Sequence, residues 1–498
     1  MASLTYAQAA LKAAQDAYTK QNPLSLQAHQ AAHNSLPGGN TRTVLHADPF
    51  PITWDSGKDA TLTSIDGHTY ADLLGEFSAG IFGHSDQRIA QAVQDAMKSG
   101  WNFGGNSRLE KALAHKVVDR FRPSGIELVR FTNSGTEANT TCLGAAVAIT
   151  QRRKILVFSG GYHGSTLVFP MALMQGLLKT PSMNLPHEFV FGAYNNIPET
   201  KAVIAALPQD SLAAILIEPI QGSGGCRPAT QEFMQYLRQV TDETGALLVI
   251  DEVMASRLCF SGYSAAIGIR GDFVTLGKYI AGGMTSGAFG GRKDLMELFD
   301  PTKNQLFHPG TYNNNVLSMN AGLIGLDIYN AEEVDRLNRL GEDVKAKIQQ
   351  VLIDEKIYPE QLPSASTNLI EIDSFKDKAE VIDISTGQSL RKLPPMFITG
   401  KGSMLNIRFS GPEAATWQAL FWHHLLTRDI FIAVRGYTPL NLKVTATDAE
   451  NYVSAIREFV QQHKAQLLAQ EPVALQDIAS VLQPKPAVAI SMQVAATA

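Results

Sequence analysis

The sequence contains few cysteines, and they form no recognisable metal or disulfide pattern. Its 498 residues include three cysteines, Cys142, Cys226 and Cys259, which lie far apart and form no CxxC motif. Neither a disulfide framework nor a structural zinc site is therefore predicted. We expect free thiols in a reducing compartment.

The sequence also lacks a cluster of basic residues. Its 42 lysines and arginines are outnumbered by 47 acidic residues, so the formal net charge is −5. A protein that binds nucleic acid normally carries a basic face. We therefore expect no nucleic-acid partner.

No membrane or targeting segment is recognisable. The N-terminal residues lack the basic region and sustained apolar run of a secretory signal, and the C-terminal Ala-Thr-Ala is not a peroxisomal signal. No stretch approaches the ~18 consecutive apolar residues that span a bilayer. The sequence predicts a cytoplasmic protein that does not associate with membranes.

What the sequence does contain is the pattern of an α/β protein. Hydrophobic residues make up 45% and charged residues 18% of the chain, which is typical of a globular protein with a substantial core. Short, nearly continuous apolar segments alternate with helical stretches, as in a mainly parallel sheet buried on both faces. The predicted strands lie at residues 128–132, 154–158, 213–217, 246–250 and 273–276.

Other segments extend this pattern toward both chain ends. Residues 3–34 predict one or two helices, and the alternating residues 50–75 predict a hairpin that turns at an Asp-Gly pair. Helices are also predicted over residues 136–153 and 321–350, and a second α+β region follows them.

Ligands of open α/β sheets bind beyond the carboxyl ends of the strands, so the polar residues that follow each strand are candidates. Ser134, Gly135 and Thr136 follow the first strand and open a helix. Backbone N–H groups, hydroxyls and the helix dipole at such a position suit a phosphate group. The Ser-x-x-Glu pattern that begins at Ser134 also fits a capping box, and the residues alone leave both interpretations open.

The loops after the second and third strands carry an aromatic ring, an imidazole and a carboxylate. Tyr162 and His163 stand among glycines, and we expect both side chains to be exposed at the strand end, where they suit stacking on a flat ligand. A turn with a packed tyrosine is the alternative. Glu218 is either structural or positions a ligand.

An acid and a lysine follow the last two strands. Asp251 ends a buried strand, which is costly unless the carboxylate is paired. Its partner is either a neighbouring arginine or the protonated ring nitrogen of a ligand. Lys278 stands among glycines at another strand end, where a buried lysine of lowered pKa can form a Schiff base. A P-loop is excluded because Tyr279 occupies the position of the required Ser or Thr.

In this order, a phosphate-binding loop, a stacking aromatic, an acid and a lysine meet the needs of pyridoxal 5′-phosphate. The segments that carry them also resemble class III aminotransferases of fold type I. The resemblance extends over about residues 30–465. It is carried by residues 131–138, 161–164, 251–254, 275–278 and 310–311.

Within that class, the chain is similar to bacterial β-amino-acid (β-phenylalanine) aminotransferases and to glutamate-1-semialdehyde aminomutases. Aminomutases usually carry Ser-Gly-Asn-Pro where this chain has Tyr-Asn-Asn-Asn at residues 312–315. They also tend to carry Thr-Gly-Phe-Arg where this chain has Ala-Ser-Arg at residues 255–257. The β-amino-acid aminotransferases are therefore the nearer match.

The resemblance implies an α/β fold with a large cofactor-binding domain, built on a mainly parallel central sheet, and a smaller α+β domain formed by both chain ends. It also implies a homodimer whose active site is shared across the interface. The expected boundaries are 1–75 and 331–465 for the two parts of the small domain, 76–330 for the large domain and 466–498 for a flexible tail.

The resemblance further implies a role for each candidate residue. Lys278 would form the Schiff base with the cofactor and carry a proton between the substrate carbon and cofactor C4′. Asp251 would keep the ring nitrogen protonated, while Val253 and Tyr162 would pack on the two ring faces. The residues implied for the phosphate or the vicinity of the ring are Ser134, Gly135, Thr136, His163, Glu218 and, from the second subunit, Thr311.

Three arginines are candidates for binding substrate carboxylates, which need a fork of donors that arginine supplies. Arg42 matches the arginine that β-amino-acid aminotransferases use for the donor carboxylate. Arg435 matches a second arginine, which can take the α-carboxylate of the keto acid. Arg408 is a rival candidate, with a surface charge at a strand edge as the alternative.

The function that the resemblance implies is a ping-pong amino exchange between small molecules. The expected donor is a β-amino acid with an apolar side chain, such as β-phenylalanine, and the expected acceptor is a 2-oxo acid such as 2-oxoglutarate or pyruvate. An aminomutase-type isomerase and an amine transaminase of a secondary-metabolite pathway remain alternatives. A scaffold that has lost catalysis is disfavoured, because it would not need Lys278, Asp251 and Tyr162 together.

Overall fold

The computed structural model describes residues 4–170, 173, 182–358 and 394–469, together with the backbone of three short strands between residues 369 and 390. Near the N-terminus, two helices form where one or two were predicted, and the predicted hairpin is confirmed. These elements are α1 (Tyr6–Gln21), α2 (Pro23–Ala32), β1 (Trp54–Lys58), β2 (Thr61–Ser64) and β3 (Thr69–Asp72).

The middle of the chain alternates helices and strands. The helices are α3 (Gln87–Lys98), α4 (Arg108–Phe121), α5 (Gly135–Thr150), α6 (Ile197–Ala205), α7 (Gln231–Thr244), α8 (Tyr263–Ala266), α9 (Lys293–Met296) and α10 (Val316–Ile328). The strands are β4 (Leu128–Thr132), β5 (Lys154–Phe158), β6 (Gly161–Tyr162), β7 (Val168–Phe169), β8 (Glu188–Gly192), β9 (Leu212–Ile217), β10 (Ile220–Gln221), β11 (Arg227–Pro228), β12 (Leu247–Asp251), β13 (Phe273–Leu276) and β14 (Gly287–Gly291).

The last part of the chain is again mixed α and β. Its helices are α11 (Ala331–Asp354), α12 (Ala414–Leu426) and α13 (Ala446–Leu468). Its strands are β15 (Leu369–Ile372), β16 (Glu380–Asp383), β17 (Gln388–Leu390), β18 (Met396–Lys401), β19 (Met404–Phe409), β20 (Ile430–Phe431) and β21 (Tyr437–Pro439).

Seven strands of the middle region form the central sheet, in the order β4-β14-β13-β12-β9-β5-β8. Neighbouring pairs are parallel except at β14, which runs antiparallel to both β4 and β13. The mainly parallel sheet and its five predicted strands are confirmed, while β8 and β14 are additional. The carboxyl ends of the six parallel-running strands therefore lie at one edge, where the candidate residues were expected.

Both faces of this sheet are buried under helices. Ile155 and Val157 of β5 pack in a core with α5, whereas Leu156 and Phe158 pack with α7 on the other face. Successive strand residues point to opposite faces, so a strand covered on both sides must be apolar at every position. This explains the continuous apolar segments in the sequence.

The strand β14 has little sequence signal because it reads Gly-Ala-Phe-Gly-Gly and lacks β-branched residues. Its glycines are required by the close approach of neighbouring backbone. A Cβ at Gly290 would lie only 2.6 Å from the carbonyl oxygen of Leu128 on β4. The pairing that places β4 in the sheet therefore depends on the absence of a side chain.

The prediction of one helix over residues 321–350 is wrong. The structure has two helices there, α10 and α11, separated at Tyr329 and Asn330. The Asn330 side chain accepts a hydrogen bond from the Glu333 N–H (3.0 Å) and so caps the start of α11. The local capping interaction overrides the continuous helical periodicity.

Segments from both chain ends pack together. The N-terminal strand β3 pairs in parallel with β20, with Ile430 opposite Ala71, and α1 packs against α12. The division into domains stays a prediction. Residues 466–468 of the expected tail lie in α13, and residues 470–498 lie outside the described part of the chain. Among the described residues, no helix combines the length and apolar character needed to cross a membrane.

The close contact at Gly290 gives a stability prediction. Gly290→Ala should lower the free energy of unfolding by about 1–3 kcal/mol, the usual cost of overpacking a core. Gly144→Ala is a matched control, because a Cβ at Gly144 would meet no atom within 4 Å and should be neutral or slightly stabilising. Thermal unfolding of both variants measures the difference. Equal melting temperatures would contradict the predicted contact.

Candidate active site

A cavity of 560 Å³ opens at the carboxyl ends of the central strands. Most residues predicted for the site line it, so the structure brings them together. The predicted residues that line the cavity are Arg42, Ser134, Gly135, Thr136, Tyr162, His163, Glu218, Asp251, Val253 and Lys278. Of the remaining candidates, Arg435 lies close enough to Tyr162 to affect its titration, while Thr311 and Arg408 are absent from the lining.

Asp251 is a buried carboxylate at the end of β12, and three donors hold it. Asn139 Nδ2 donates to Oδ2 (2.7 Å), His163 Nδ1 lies 2.8 Å from the same oxygen, and the Val253 N–H donates to Oδ1 (3.0 Å). No arginine of the described residues bonds to this carboxylate. The Val253 bond also fixes an apolar side chain directly beside the acid.

The prediction that the His163 imidazole is exposed is wrong. Its side chain is buried, with 3% of the residue accessible, and it contacts Asp251. The reason is that a buried carboxylate is stable only with hydrogen-bond donors nearby, and the imidazole turns inward to supply one. His163 therefore stabilises the Asp251 carboxylate by a direct contact. The neighbouring Tyr162 remains 39% exposed.

Asn139 is a site residue that sequence reasoning missed. Its amide bonds Asp251 and the His163 carbonyl oxygen (3.0 Å), and its Oδ1 accepts from the Thr275 hydroxyl (2.8 Å). It thereby joins α5, β12, β13 and the loop after β5. The sequence offered no signal for it, because a single amide inside a predicted helix carries no pattern of its own.

The start of α5 presents donors to the cavity. Ser134 Oγ accepts from the Glu137 N–H (3.2 Å), but the Glu137 carboxylate accepts from the Asn133 N–H (2.9 Å) instead of completing a capping box. Among the described residues, the N–H groups of Gly135 and Thr136 have no hydrogen-bond acceptor. Free N–H groups at a helix start favour an anion, so the phosphate interpretation retains its physical basis.

Gly135 must be a glycine because Val253 lies against it. A Cβ at this position would be 2.8 Å from Val253 Cγ2. The start of α5 and the residue beside Asp251 therefore approach more closely than any side chain at position 135 would permit. This contact sets the spacing between the free N–H groups and the buried acid.

Lys278 follows β13 and adopts a left-handed backbone conformation, with φ of 58°. Burial, and then the charge of Arg42, lower the pKa of its amine to about 8, while Asp251, Glu76 and Glu218 oppose that shift. An amine of this kind is partly neutral near physiological pH and can act as a nucleophile or a base.

Glu218 links two loops of the site. Its carboxylate accepts from the N–H groups of Tyr162 (3.0 Å) and Gly222 (3.1 Å). Burial raises the pKa of this carboxyl group to about 7. Because its two bonds hold the loop that carries Tyr162, the structure gives Glu218 a supporting position, which the sequence left undecided.

Arg42 and Arg435 both lie near Tyr162. Burial raises the pKa of the Tyr162 hydroxyl, and the two guanidinium charges oppose that rise. Arg42 is exposed at the cavity and its guanidinium lies over the ring of Phe77, 5.3 Å from the centroid. Arg435 donates to the Ser223 hydroxyl (3.4 Å).

Arg408 is not a surface charge, and that alternative from the sequence is wrong. It lies on β19, the middle strand of the sheet β18-β19-β21, and is buried with its guanidinium over the ring of Phe397. Side chains project from the faces of a sheet, and the loop at Gly225 covers this one, since a Cβ at Gly225 would lie 3.1 Å from Arg408 Cζ. Arg408 does not line the cavity.

A left-handed turn at residues 75–78 lies near Arg42, and sequence reasoning missed it. Gly75, Glu76, Phe77 and Ser78 have φ values of 47°, 49°, 56° and 76°. For a residue other than glycine this conformation costs about 1–2 kcal/mol. Asp72 stabilises the turn, because its Oδ1 accepts from the N–H groups of Leu74 (2.9 Å) and Gly75 (3.1 Å).

The residues of the cavity fit pyridoxal 5′-phosphate. Free N–H groups at the start of α5 suit its phosphate, the buried carboxylate of Asp251 suits a protonated ring nitrogen, and the Lys278 amine suits its aldehyde. Thr311 is exposed and lies outside this cavity. The expectation that it reaches a neighbouring subunit's site stays a prediction.

Comparisons with known proteins agree with this geometry. The family model described as aminotransferase class-III matches residues 44–391. The β-phenylalanine transaminase of Variovorax paradoxus is 39% identical over 461 residues, which cover 90% of this chain and 95% of that protein. A glutamate-1-semialdehyde 2,1-aminomutase of Ignicoccus hospitalis is 36% identical over 308 residues, covering 60% of this chain and 72% of that one.

Solved structures give the same assignment. The crystal structure of the β-phenylalanine aminotransferase from Variovorax paradoxus has a TM-score of 0.80, covering 92% of this chain and 98% of that one. An omega-transaminase from Sphaerobacter thermophilus, 28% identical, has a TM-score of 0.74 and covers 88% of this chain and 98% of its own. The chain therefore belongs to the class III aminotransferases, enzymes of fold type I that use pyridoxal 5′-phosphate to exchange amino groups between small-molecule amino donors and keto acids.

Proposed function

We propose that this enzyme transfers the amino group of a β-amino acid with an apolar side chain to a 2-oxo acid by a ping-pong mechanism. The observation that carries the proposal is the pair of guanidinium groups, Arg42 and Arg435, beside Tyr162 at a cavity that also contains Lys278. Donor and acceptor both carry a carboxylate, and each needs a cationic partner close to the reacting carbon.

Bound pyridoxal 5′-phosphate supplies an aldehyde for amino exchange and a protonated ring that withdraws electrons from the substrate carbon. Ser134, Gly135 and Thr136 hold the phosphate at the start of α5. Asp251 bonds the ring nitrogen, and His163 and Asn139 keep its carboxylate in place. Val253 and Tyr162, which both line the cavity, would hold the ring between them.

Lys278 has two tasks in this proposal. Its amine would hold the cofactor through the aldehyde, and the same amine would move a proton between the substrate carbon and cofactor C4′. Both tasks require a neutral amine at working pH. Burial and the charge of Arg42, which lower its pKa to about 8, meet that requirement.

Arg42 binds the carboxylate of the β-amino acid, and Arg435 binds the α-carboxylate of the 2-oxo acid, such as 2-oxoglutarate or pyruvate. A donor with an apolar side chain is supported by the cavity wall, where Ala79, Met254 and Met284 contribute apolar surface. The relative from Variovorax paradoxus, named for β-phenylalanine, supports the same donor class.

We also propose a homodimer in which Thr311 reaches the partner's phosphate site. The supporting observation is a group of exposed aromatic residues on two adjacent segments, which a monomer would leave in water. Phe307 is 89% exposed, and the Val316 N–H donates to the Trp101 carbonyl oxygen (3.4 Å), which joins the segments. The exposed aromatic residues are Trp101, Phe103, Phe307 and Tyr312.

The donor class can be tested by absorption spectroscopy. Adding 3-amino-3-phenylpropanoate without an acceptor should bleach the yellow band of the wild-type enzyme, because the cofactor keeps the amino group. Lys278→Ala should still hold the cofactor but neither bleach nor turn over. Borohydride followed by mass spectrometry should fix the cofactor covalently to the wild type only. Undiminished turnover by Lys278→Ala would refute the role of Lys278. A yellow band of the wild-type enzyme that persists would show that the amino donor belongs to another class.

The role of Arg42 can be tested with two donors. Arg42→Ala should raise KM for 3-amino-3-phenylpropanoate about tenfold or more, the effect of losing hydrogen bonds to a charged group, and should barely change KM for 1-phenylethylamine, which lacks a carboxylate. Arg153→Ala is the control, since Arg153 is 82% exposed in its side chain and pairs weakly at 3.9 Å. Equal effects on both donors would place Arg42 outside the carboxylate site.

The lowered pKa of Lys278 predicts a pH dependence. An amine with a pKa of about 8 is neutral in about one molecule in ten at pH 7, against fewer than about one in a thousand for an ordinary lysine. The rate at which apoenzyme attaches the cofactor should therefore level off near pH 8, whereas the rate for the reference amine Nα-acetyllysine should keep rising to about pH 10. Arg42→Ala removes a charge that lowers this pKa, so its plateau should begin at higher pH. A wild-type plateau near pH 10 would contradict the prediction.

A further inference from the structure

We propose that Phe77 is a positioning residue, which holds the Arg42 guanidinium over its ring and so directs it toward the carboxylate of the amino donor. This inference rests on the proposed role of Arg42. Phe77 itself touches neither substrate nor cofactor in this proposal and acts through Arg42.

The first observation is the environment of Arg42. It lies on an exposed segment at the cavity, and among the described residues it forms no salt bridge. Its guanidinium lies 5.3 Å from the centre of the Phe77 ring, within the range of a cation–π interaction. A long side chain without such a contact would sample many rotamers, and ordering it on binding would weaken the substrate's affinity.

The second observation is the backbone that carries Phe77. Three consecutive residues other than glycine, Glu76, Phe77 and Ser78, are left-handed. Such conformations persist where the surrounding structure holds them, and they concentrate at functional sites. The buried Asp72 and the partly buried His84 hold this turn. Asp72 accepts two backbone N–H groups at its start, and His84 Nε2 lies 2.7 Å from the other oxygen of Asp72.

The third observation is the packing of the ring. Phe77 is half-buried and packs against a core cluster that includes Leu74, Ala433 and Tyr437. This packing holds the Phe77 ring in place, and the Arg42 guanidinium lies over the face of the ring. Packing alone would not require a left-handed backbone or an arginine over the ring, so the arrangement is explained best by the placement of Arg42.

The experiment compares two substitutions at position 77 in the holoenzyme. Phe77→Leu removes the aromatic face and should raise KM for 3-amino-3-phenylpropanoate about three- to tenfold, the range of a cation–π contact. Its kcat, and both constants for 1-phenylethylamine, should change less than about twofold, because Phe77→Leu leaves the Arg42 charge beside Lys278 in place and loosens only the orientation of the guanidinium toward a carboxylate. Phe77→Trp retains the face and should restore KM to near the wild-type value.

A matched control comes from a second arginine–aromatic contact outside the cavity. The guanidinium of Arg120 lies 4.5 Å from the centre of the Phe260 ring, and neither residue lines the cavity. Phe260→Leu therefore removes the same type of contact and should leave KM for both donors unchanged. If Phe77→Leu does not fold, trifluorophenylalanine at position 77 weakens the ring's negative face at nearly constant shape and should raise KM in the same way.

The outcomes separate this inference from the proposed function. In an Arg42→Ala background, Phe77→Leu should have no additional effect on KM, because the residue it positions is missing. If Arg42→Ala is selective for the carboxylate donor but Phe77→Leu is not, Phe77 is not a positioning residue and the proposed role of Arg42 survives. If Arg42→Ala itself shows no selectivity, the proposed function fails first. A Phe77→Leu effect that is equal for both donors would also overturn the inference.

Discussion

The buried carboxylate of Asp251 is the constraint on which the rest of the site depends. Removing an ionised group from water costs several kcal/mol unless other groups replace the lost hydration. Here Asn139, His163 and the Val253 N–H replace it, and each comes from a different part of the middle region. The same bonds that stabilise the acid therefore also fix the start of α5, the loop after β5 and the wall beside Val253. The same hydrogen bonds therefore serve both the functional site and the stability of the fold.

The charged side chains around the cavity act in opposite directions on the pKa of Lys278. Lys278 lies between the cationic Arg42, which favours its neutral form, and the acids Asp251, Glu76 and Glu218, which oppose that effect. In the proposed function, Arg42 would thus act on both the Lys278 amine and the substrate carboxylate. When a carboxylate binds Arg42, part of that positive charge is neutralised, and the pKa of Lys278 should rise. At a fixed pH this rise lowers the fraction of neutral amine, so burial, the larger cause of the lowered pKa, is what keeps Lys278 able to accept a proton.

The central sheet and the chemistry at its strand ends were predictable, because buried parallel strands are apolar at every position and their polar neighbours stand out. Asn139 and β14 were not, since an amide inside a helix and a strand of glycines carry no pattern of their own. His163 was predicted to be exposed because sequence reasoning treated its loop alone, whereas the carboxylate that turns it inward lies 88 residues away. The left-handed turn at residues 75–78 does begin at a local contact, with Asp72 accepting from two N–H groups, but three successive left-handed residues other than glycine follow no sequence pattern.

The acid and lysine of the site come from the middle of the chain, whereas its two arginines come from segments nearer the chain ends. Strand ends of the central sheet supply Asp251, Lys278 and the start of α5, while Arg42 precedes β1 and Arg435 follows β20. β3 and β20 pair directly, so the segments that carry the two arginines are tied to one sheet outside the central one. If the two arginines bind carboxylates as proposed, changes in these segments would alter which carboxylate is bound without disturbing the network around Asp251. This separation explains physically how one arrangement of acid and lysine can serve donors of different shape.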